Sequence, residues 1–149
     1  MTHKEKAMDL FSEGYNCAQA VFAAFCDEMN IDKETALKLS SSFGGGMGRM
    51  REVCGAVSGM FMVAGMLYGY TSPDDDTQKK EHYARIQKLA EEFKKETGTI
   101  ICRELLGLDN NEISEPTPEK RTAEYYKKRP CNELVGIAAM VLSNYIENN

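Results

Sequence analysis

The sequence predicts an all-α fold, a compact multi-helix bundle around a buried central helix rich in glycine and alanine. Three observations carry that reading. No apolar–polar alternation of strand period runs for more than a few residues. Apolar residues recur instead at helical spacing, and helix caps and helix breakers punctuate the chain. The most apolar run, 53–70, is threaded with glycines, which suit a helix packed closely by its neighbours better than one facing lipid. With 149 residues the chain has one domain's length, so 1–149 is expected to form a single all-α domain with a real core.

Taken in order, the first helix is expected over 4–12. Ala7, Met8 and Phe11 share its apolar face, and Gly14 ends it. Asn16 caps the next, 17–29, which is apolar nearly all round and so deeply buried. Asp32 caps a third helix over 33–43. The turn Gly44-Gly45-Gly46-Met47-Gly48 then leads through Arg49 into the central helix, 51–69. Ser72-Pro73 and the acidic run Asp74-Asp75-Asp76 open a long charged helix that ends near Glu96. Its stripe of Tyr83, Ile86, Leu89, Ala90 and Phe93 marks it as a surface helix. Gly98 stops it, and Thr99 can cap a short helix over 100–106. The polar segment 109–118 holds two prolines and reads as an exposed loop. A charged helix follows from Thr117 or Pro118 to about Lys128, and Pro130 begins the last, which runs to about Glu147.

Charge narrows the function. Eighteen basic and 23 acidic residues give a net charge of -5, and no basic stripe exists, which argues against nucleic acid as a partner. The N-terminus has charge but no apolar core of a secretory signal, and no membrane span is expected. Five cysteines in such a chain point to a reducing, cytoplasmic setting. There, repeated cysteines signal redox or metal chemistry more than a disulfide framework.

Cys17, Cys54, Cys102 and Cys131 each fall in the first turn or so of an expected helix. Helix N-termini offer unpaired N–H groups and partial positive charge, so each thiol is expected to be acidified toward the thiolate that a nucleophile or metal ligand requires. Their facing agrees. Cys131 heads a stripe with Val135, Ala138 and Leu142; Cys102 shares a face with Leu105 and Leu106; Cys17 shares one with Val21 and Ala24. All four are expected to point inward and meet. Cys26 lies nine residues from Cys17, half a turn round the same expected helix, and reads as an inert core thiol. In Cys54-Gly55-Ala56-Val57-Ser58-Gly59, Gly55 and Gly59 leave one helix face clear for another backbone. Ser58 can offer its hydroxyl to the sulfur one turn away, so these three are the expected surroundings of the site or its cofactor. A single cysteine among apolar neighbours is usually a small buried hydrophobe. Four at helix starts weigh against that reading.

These residues resemble the C_GCAxxG_C_C family of redox-active proteins. Its Cys-Gly-Ala-x-x-Gly motif corresponds to residues 54–59, and its other cysteines to Cys17 (within Gly14-Tyr15-Asn16-Cys17-Ala18-Gln19), Cys102 and Cys131. The segment from Phe43 through Gly65 is similar too, and Cys26 lies outside the pattern. The resemblance implies redox activity without assigning a reaction. A similar domain occurs in a multihaem cytochrome that also carries a non-haem iron–sulfur centre, which adds a cluster as a possibility. No Cys-x-x-Cys-His haem attachment motif is present.

Two chemistries follow. The first is thiol–disulfide exchange or electron transfer among the four cysteines, as in an oxidoreductase, with a redox partner protein. No Cys-x-x-Cys pair exists, so disulfides would be long-range, with Cys17–Cys54 and Cys102–Cys131 the nearest in sequence. The alternative uses the same four thiolates as ligands for an iron–sulfur cluster or zinc. Other constellations are weaker. The turn 44–51 could bind an anion, but it lacks the lysine and hydroxyl of a P-loop and reads as a tight turn that lets helices approach. His3 and His82 sit in polar, exposed segments without a nucleophile beside them. Met47, Met50, Met60, Met62 and Met66 read as gap-filling core rather than copper ligands. The Gly/Ala-rich helix and exposed methionines would suit a homodimer.

Overall fold

Each helix start is written in its caps. The computed structural model describes residues 1–109 and 115–149. Helix α1 (His3–Ser12) opens on a reciprocal box: the Thr2 side chain accepts from the Glu5 N–H, and the Glu5 carboxylate accepts from the Thr2 N–H. Helix α2 (Cys17–Ala24) repeats the device with Asn16 and Gln19. The expected single helix over 17–29 is broken at Phe25, whose φ of -107° and ψ of 17° leave the helical region; α3 (Cys26–Met29) then restarts. No glycine or proline marks the break. The ring of Phe25 is fully buried and stacks on His3 with centroids 4.2 Å apart, so packing against α1 overrides helix continuity.

Asp32 caps α4 (Lys33–Ser40), and the end of the expected third helix tightens into a 3-10 turn, Ser41–Phe43. The next segment, α5 (Gly44–Met47), is helical in span only, because Gly45 and Gly46 have φ of 68° and 73°. The central helix, α6 (Gly55–Tyr68), starts later than expected. Residues 52–54 are drawn instead into a short antiparallel pairing in which Val53 lies opposite Ile101. Asp75 caps α7 (Asp76–Thr97), which buries Leu89 and Phe93 while Tyr83, the first member of its stripe, is 54% exposed. The short α8 (Cys102–Leu105) follows. Thr122 caps α9 (Ala123–Lys128), later than the prolines suggested, and α10 (Cys131–Asn148) closes the chain behind Pro130. Of the expected loop over 109–118, residues 110–114 lie outside the described residues, and 115–118 are exposed.

The fold is all-α. Helix α2 makes its most extensive contact with α6, while α1 lies on α10 and α2, and α10 also meets α6 and α7. Phe11, Phe22, Phe93, Met60, Leu89 and Leu142 fill the space between them. Each such side chain contributes about 1.5–3 kcal/mol by leaving water. Gly59 sets how closely α2 can lie: a Cβ there would come 2.8 Å from the Ala18 carbonyl oxygen. The small-residue face of α6 is therefore occupied by α2 of the same chain, and the homodimer expectation loses that support. Met60 is core, as read, whereas Met50 and Met66 are exposed. Among the described residues no helix is long and apolar enough to cross a membrane.

Candidate functional site

The pairing of 52–54 with 100–103 fixes two of the four cysteines. The Cys54 N–H donates to the Ile100 carbonyl at 2.7 Å, and the Cys102 N–H donates to the Glu52 carbonyl at 2.6 Å. With Val53 opposite Ile101, Cys54 and Cys102 share one face of the ribbon as diagonal neighbours, within side-chain reach. Cys54 is thus the N-cap residue of α6 rather than part of its first turn.

The glycine turn folds over this ribbon. Gly45, Gly46, Met47, Gly48, Arg49 and Arg51 all have positive φ. For the three that are not glycine, this costs roughly 1–2 kcal/mol each. N–H groups of Arg51 and Glu52 return to the carbonyls of Gly45 and Gly46 at 3.2 and 3.0 Å and hold the coil shut. Its glycines clear space for the site. A Cβ on Gly46 would lie 2.7 Å from the Cys102 Cβ, and one on Gly44 would overlap the Asn16 side chain that caps α2.

Cys17 is the first residue of α2, and its Sγ lies where a Cβ on Gly55 would be. Cys131 is the first residue of α10. All four cysteines line one cavity of about 290 Å³, walled by the glycine turn on one side and by Leu105, Leu106 and Tyr125 on the other. All four thiols thus converge on one cavity, though no three sulfurs are in close contact among the described residues. Gly55 lines the cavity too, but Gly59 serves the α2 contact, and among the described residues no hydrogen bond joins the buried Ser58 hydroxyl to Cys54. Cys26 lies outside the cavity, half-buried against the core. The broken helix, not half a turn of continuous helix, separates it from Cys17.

The expected acidification is overturned at Cys54, Cys102 and Cys131. Burial pushes the Cys54 thiol well above the ordinary thiol value, and neighbouring Cys17 adds to this; the N–H groups of Val57 and Ala56 at the start of α6 oppose it and lose. Burial, Cys17 and Cys102 push Cys131 up to about 12 against Arg129 and Arg121. Burial also raises Cys102, although the Arg51 guanidinium, 3.8 Å from its sulfur, pulls the other way. Desolvation of a thiolate outweighs a helix terminus here, so these three rest as neutral thiols. Cys17 is the neighbour that acts on each of the other three.

The sulfurs surround a space rather than a point. Among the described residues, no three of them lie within 4.8 Å of one another; only His3, Asp27 and Glu28 form such a group. There the half-buried His3 is engaged with Asp27 at 3.0 Å, which corrects its reading as an exposed residue. Tetrahedral zinc with Zn–S near 2.3 Å needs sulfurs about 3.8 Å apart, so a single-ion site is not preformed.

Four arginines, Arg49, Arg51, Arg121 and Arg129, also line the cavity, with Glu119 the one carboxylate among the described residues. Arg121 donates to the carbonyls of Phe11 and Tyr15, both at 2.8 Å, and lies 4.0 Å over the Phe11 ring. Arg129 pairs with Glu119. Arg121, Arg129 and Tyr125 were invisible to sequence reasoning, because their partners lie far along the chain.

Fold and cavity together define a helical protein with a four-cysteine centre. The family described as "Putative redox-active protein (C_GCAxxG_C_C)" matches residues 15–145, and the chain belongs to it. No curated protein and no solved structure matches the chain.

Proposed function

We propose that the protein acts by thiol–disulfide exchange at the four-cysteine cavity, transferring two electrons per disulfide formed. The convergence of Cys17, Cys54, Cys102 and Cys131 on one cavity carries this reading. Cys17 is the attacking sulfur. It is half-buried where Cys54 and Cys102 are buried, heads an eight-residue helix, and neighbours the other three. Its thiolate attacks an incoming disulfide, forming a mixed disulfide and expelling one thiolate. Cys54 then attacks Cys17, closing an internal disulfide and expelling the second thiolate. The two cysteine protons pass to the departing thiolates. Cys102 and Cys131 form the second pair, which can reduce the first by the same exchange. A redox partner protein or small thiol completes the cycle.

A second reading rests on the spread of the sulfurs. A cavity of about 290 Å³ bounded by four cysteines and four arginines suits a group larger than one ion. An iron–sulfur cluster held by the same cysteines would supply one-electron transfer, with the guanidiniums offsetting thiolate charge.

Anaerobic purification followed by iron, zinc and acid-labile sulfide analysis and thiol counting separates the two. Metal-free protein whose four cavity thiols oxidise in pairs supports exchange. Stoichiometric iron and sulfide support the cluster. Unreactive, metal-free thiols contradict both.

A further inference from the structure

We propose that the substrate of this cavity is a small disulfide bearing carboxylates, held by arginines beside the sulfurs; the inference rests on the exchange reading above. The chain is acidic, with a net charge of -5, yet among the described residues the cavity wall presents four guanidiniums against one carboxylate, and Cys54, Cys102 and Cys131 rest neutral beside them. Glu119 is engaged by Arg129, so among the described residues the remaining positive charge has no carboxylate within the wall.

Arg49 is the clearest case. It is half-buried, and among the described residues its guanidinium has no hydrogen-bond or ion-pair partner. Partial burial of an unpaired guanidinium is unfavourable unless an anion completes it. The turn presents it deliberately. A Cβ on Gly45 would lie 2.8 Å from the Arg49 Cγ and 3.7 Å from Arg51 NH1, so a residue without a side chain lets both arginines fold over the same spot. Arg51 reaches the Cys102 sulfur at 3.8 Å, which puts this cationic edge beside the second cysteine pair, in the cavity that also holds Cys17 and Cys54. Arg121 also lines the cavity, its guanidinium held in place by the Phe11 and Tyr15 carbonyls. A guanidinium's planar fork matches a carboxylate. The side chains, not the backbone N–H groups of the turn, make this recognition.

The reaction balances as written above: the ligand's S–S bond breaks, two cysteine thiols become one disulfide, and the ligand leaves as two carboxylate-bearing thiols.

The test compares three symmetric disulfides of similar size: dithiodiglycolate (anionic), bis(2-hydroxyethyl) disulfide (neutral) and cystamine (cationic). Each rate of oxidation of the reduced protein is normalised to that of the same disulfide with 2-mercaptoethanol, which carries no charge besides the reacting thiolate. The expected order is anionic over neutral over cationic, about tenfold per step, collapsing in 1 M salt, where the screening length is about 3 Å. Arg49→Gln should cut the anionic rate at least fivefold while leaving the neutral rate within twofold, and Arg49→Lys should restore most of it. Rates blind to charge, or an Arg49→Gln loss shared equally by all three probes, overturn this inference and leave the exchange reading standing. No oxidation by any probe overturns both.

Discussion

Cys17 neighbours each of the other three cavity thiols, and in the proposed exchange it is the attacking sulfur. Cys17→Ser should lower the rate of oxidation by small disulfides about 100-fold or more, because Cys17 is the half-buried cavity thiol that neighbours all three of the others. Cys26→Ser should leave that rate within about twofold, as its sulfur lies outside the cavity; stopped-flow kinetics with thiol counting reads both. The pH dependence follows from burial. Cys54, Cys102 and Cys131 hold their protons above the ordinary thiol value, near 8.5 in an unfolded chain. As pH rises past that point, the unfolded chain releases protons that the folded chain still binds. Stability of the reduced protein should therefore fall from about pH 8.5 upward toward the value of about 12 reached by Cys131, as read by urea midpoints. A midpoint that rises over this window contradicts the buried, neutral thiols.

Within the elements, glycine acts in opposite senses along one helix. On α6, Gly59 is closed in by the Ala18 carbonyl, whereas a Cβ on Gly65 would meet nothing within 4 Å. Gly65→Ala should stabilise the protein by up to about 1 kcal/mol through helix propensity. Gly59→Ala should destabilise it by about 1–3 kcal/mol, because backbone cannot give way. Asn16→Ala removes the cap of α2 and should cost about 1 kcal/mol, or more, since Asn16 also donates to the Ser41 carbonyl and seats against Gly44. Thermal melts of the three variants check these signs. The caps Asn16 and Asp32 were readable from local sequence because the chemistry of a cap lies within three residues. The break at Phe25 was not, since its cause is a ring on another helix. The late start of α6 had the same kind of origin: its competitor, the strand at 100–102, is some fifty residues away in the chain.

For the molecule as a whole, periodicity revealed helices and the cysteine spacing revealed convergence, but neither could weigh burial against helix N-termini. That balance reversed the expected acidity of three thiols. Nor could it foresee Arg121, which ties the segment before α9 to the end of α1 by two carbonyl contacts and so closes the cavity's far wall. The cavity is a product of assembly: α2 and α10 each bring one cysteine and the ribbon brings two. The most direct test is disulfide mapping by peptide mass spectrometry after stoichiometric oxidation of the reduced, metal-free protein. The account predicts Cys17–Cys54 and Cys102–Cys131 bridges within one chain, with Cys26 left as a free thiol. Bridges that enlist Cys26, bridges only between chains, or five unchanged thiols would contradict it.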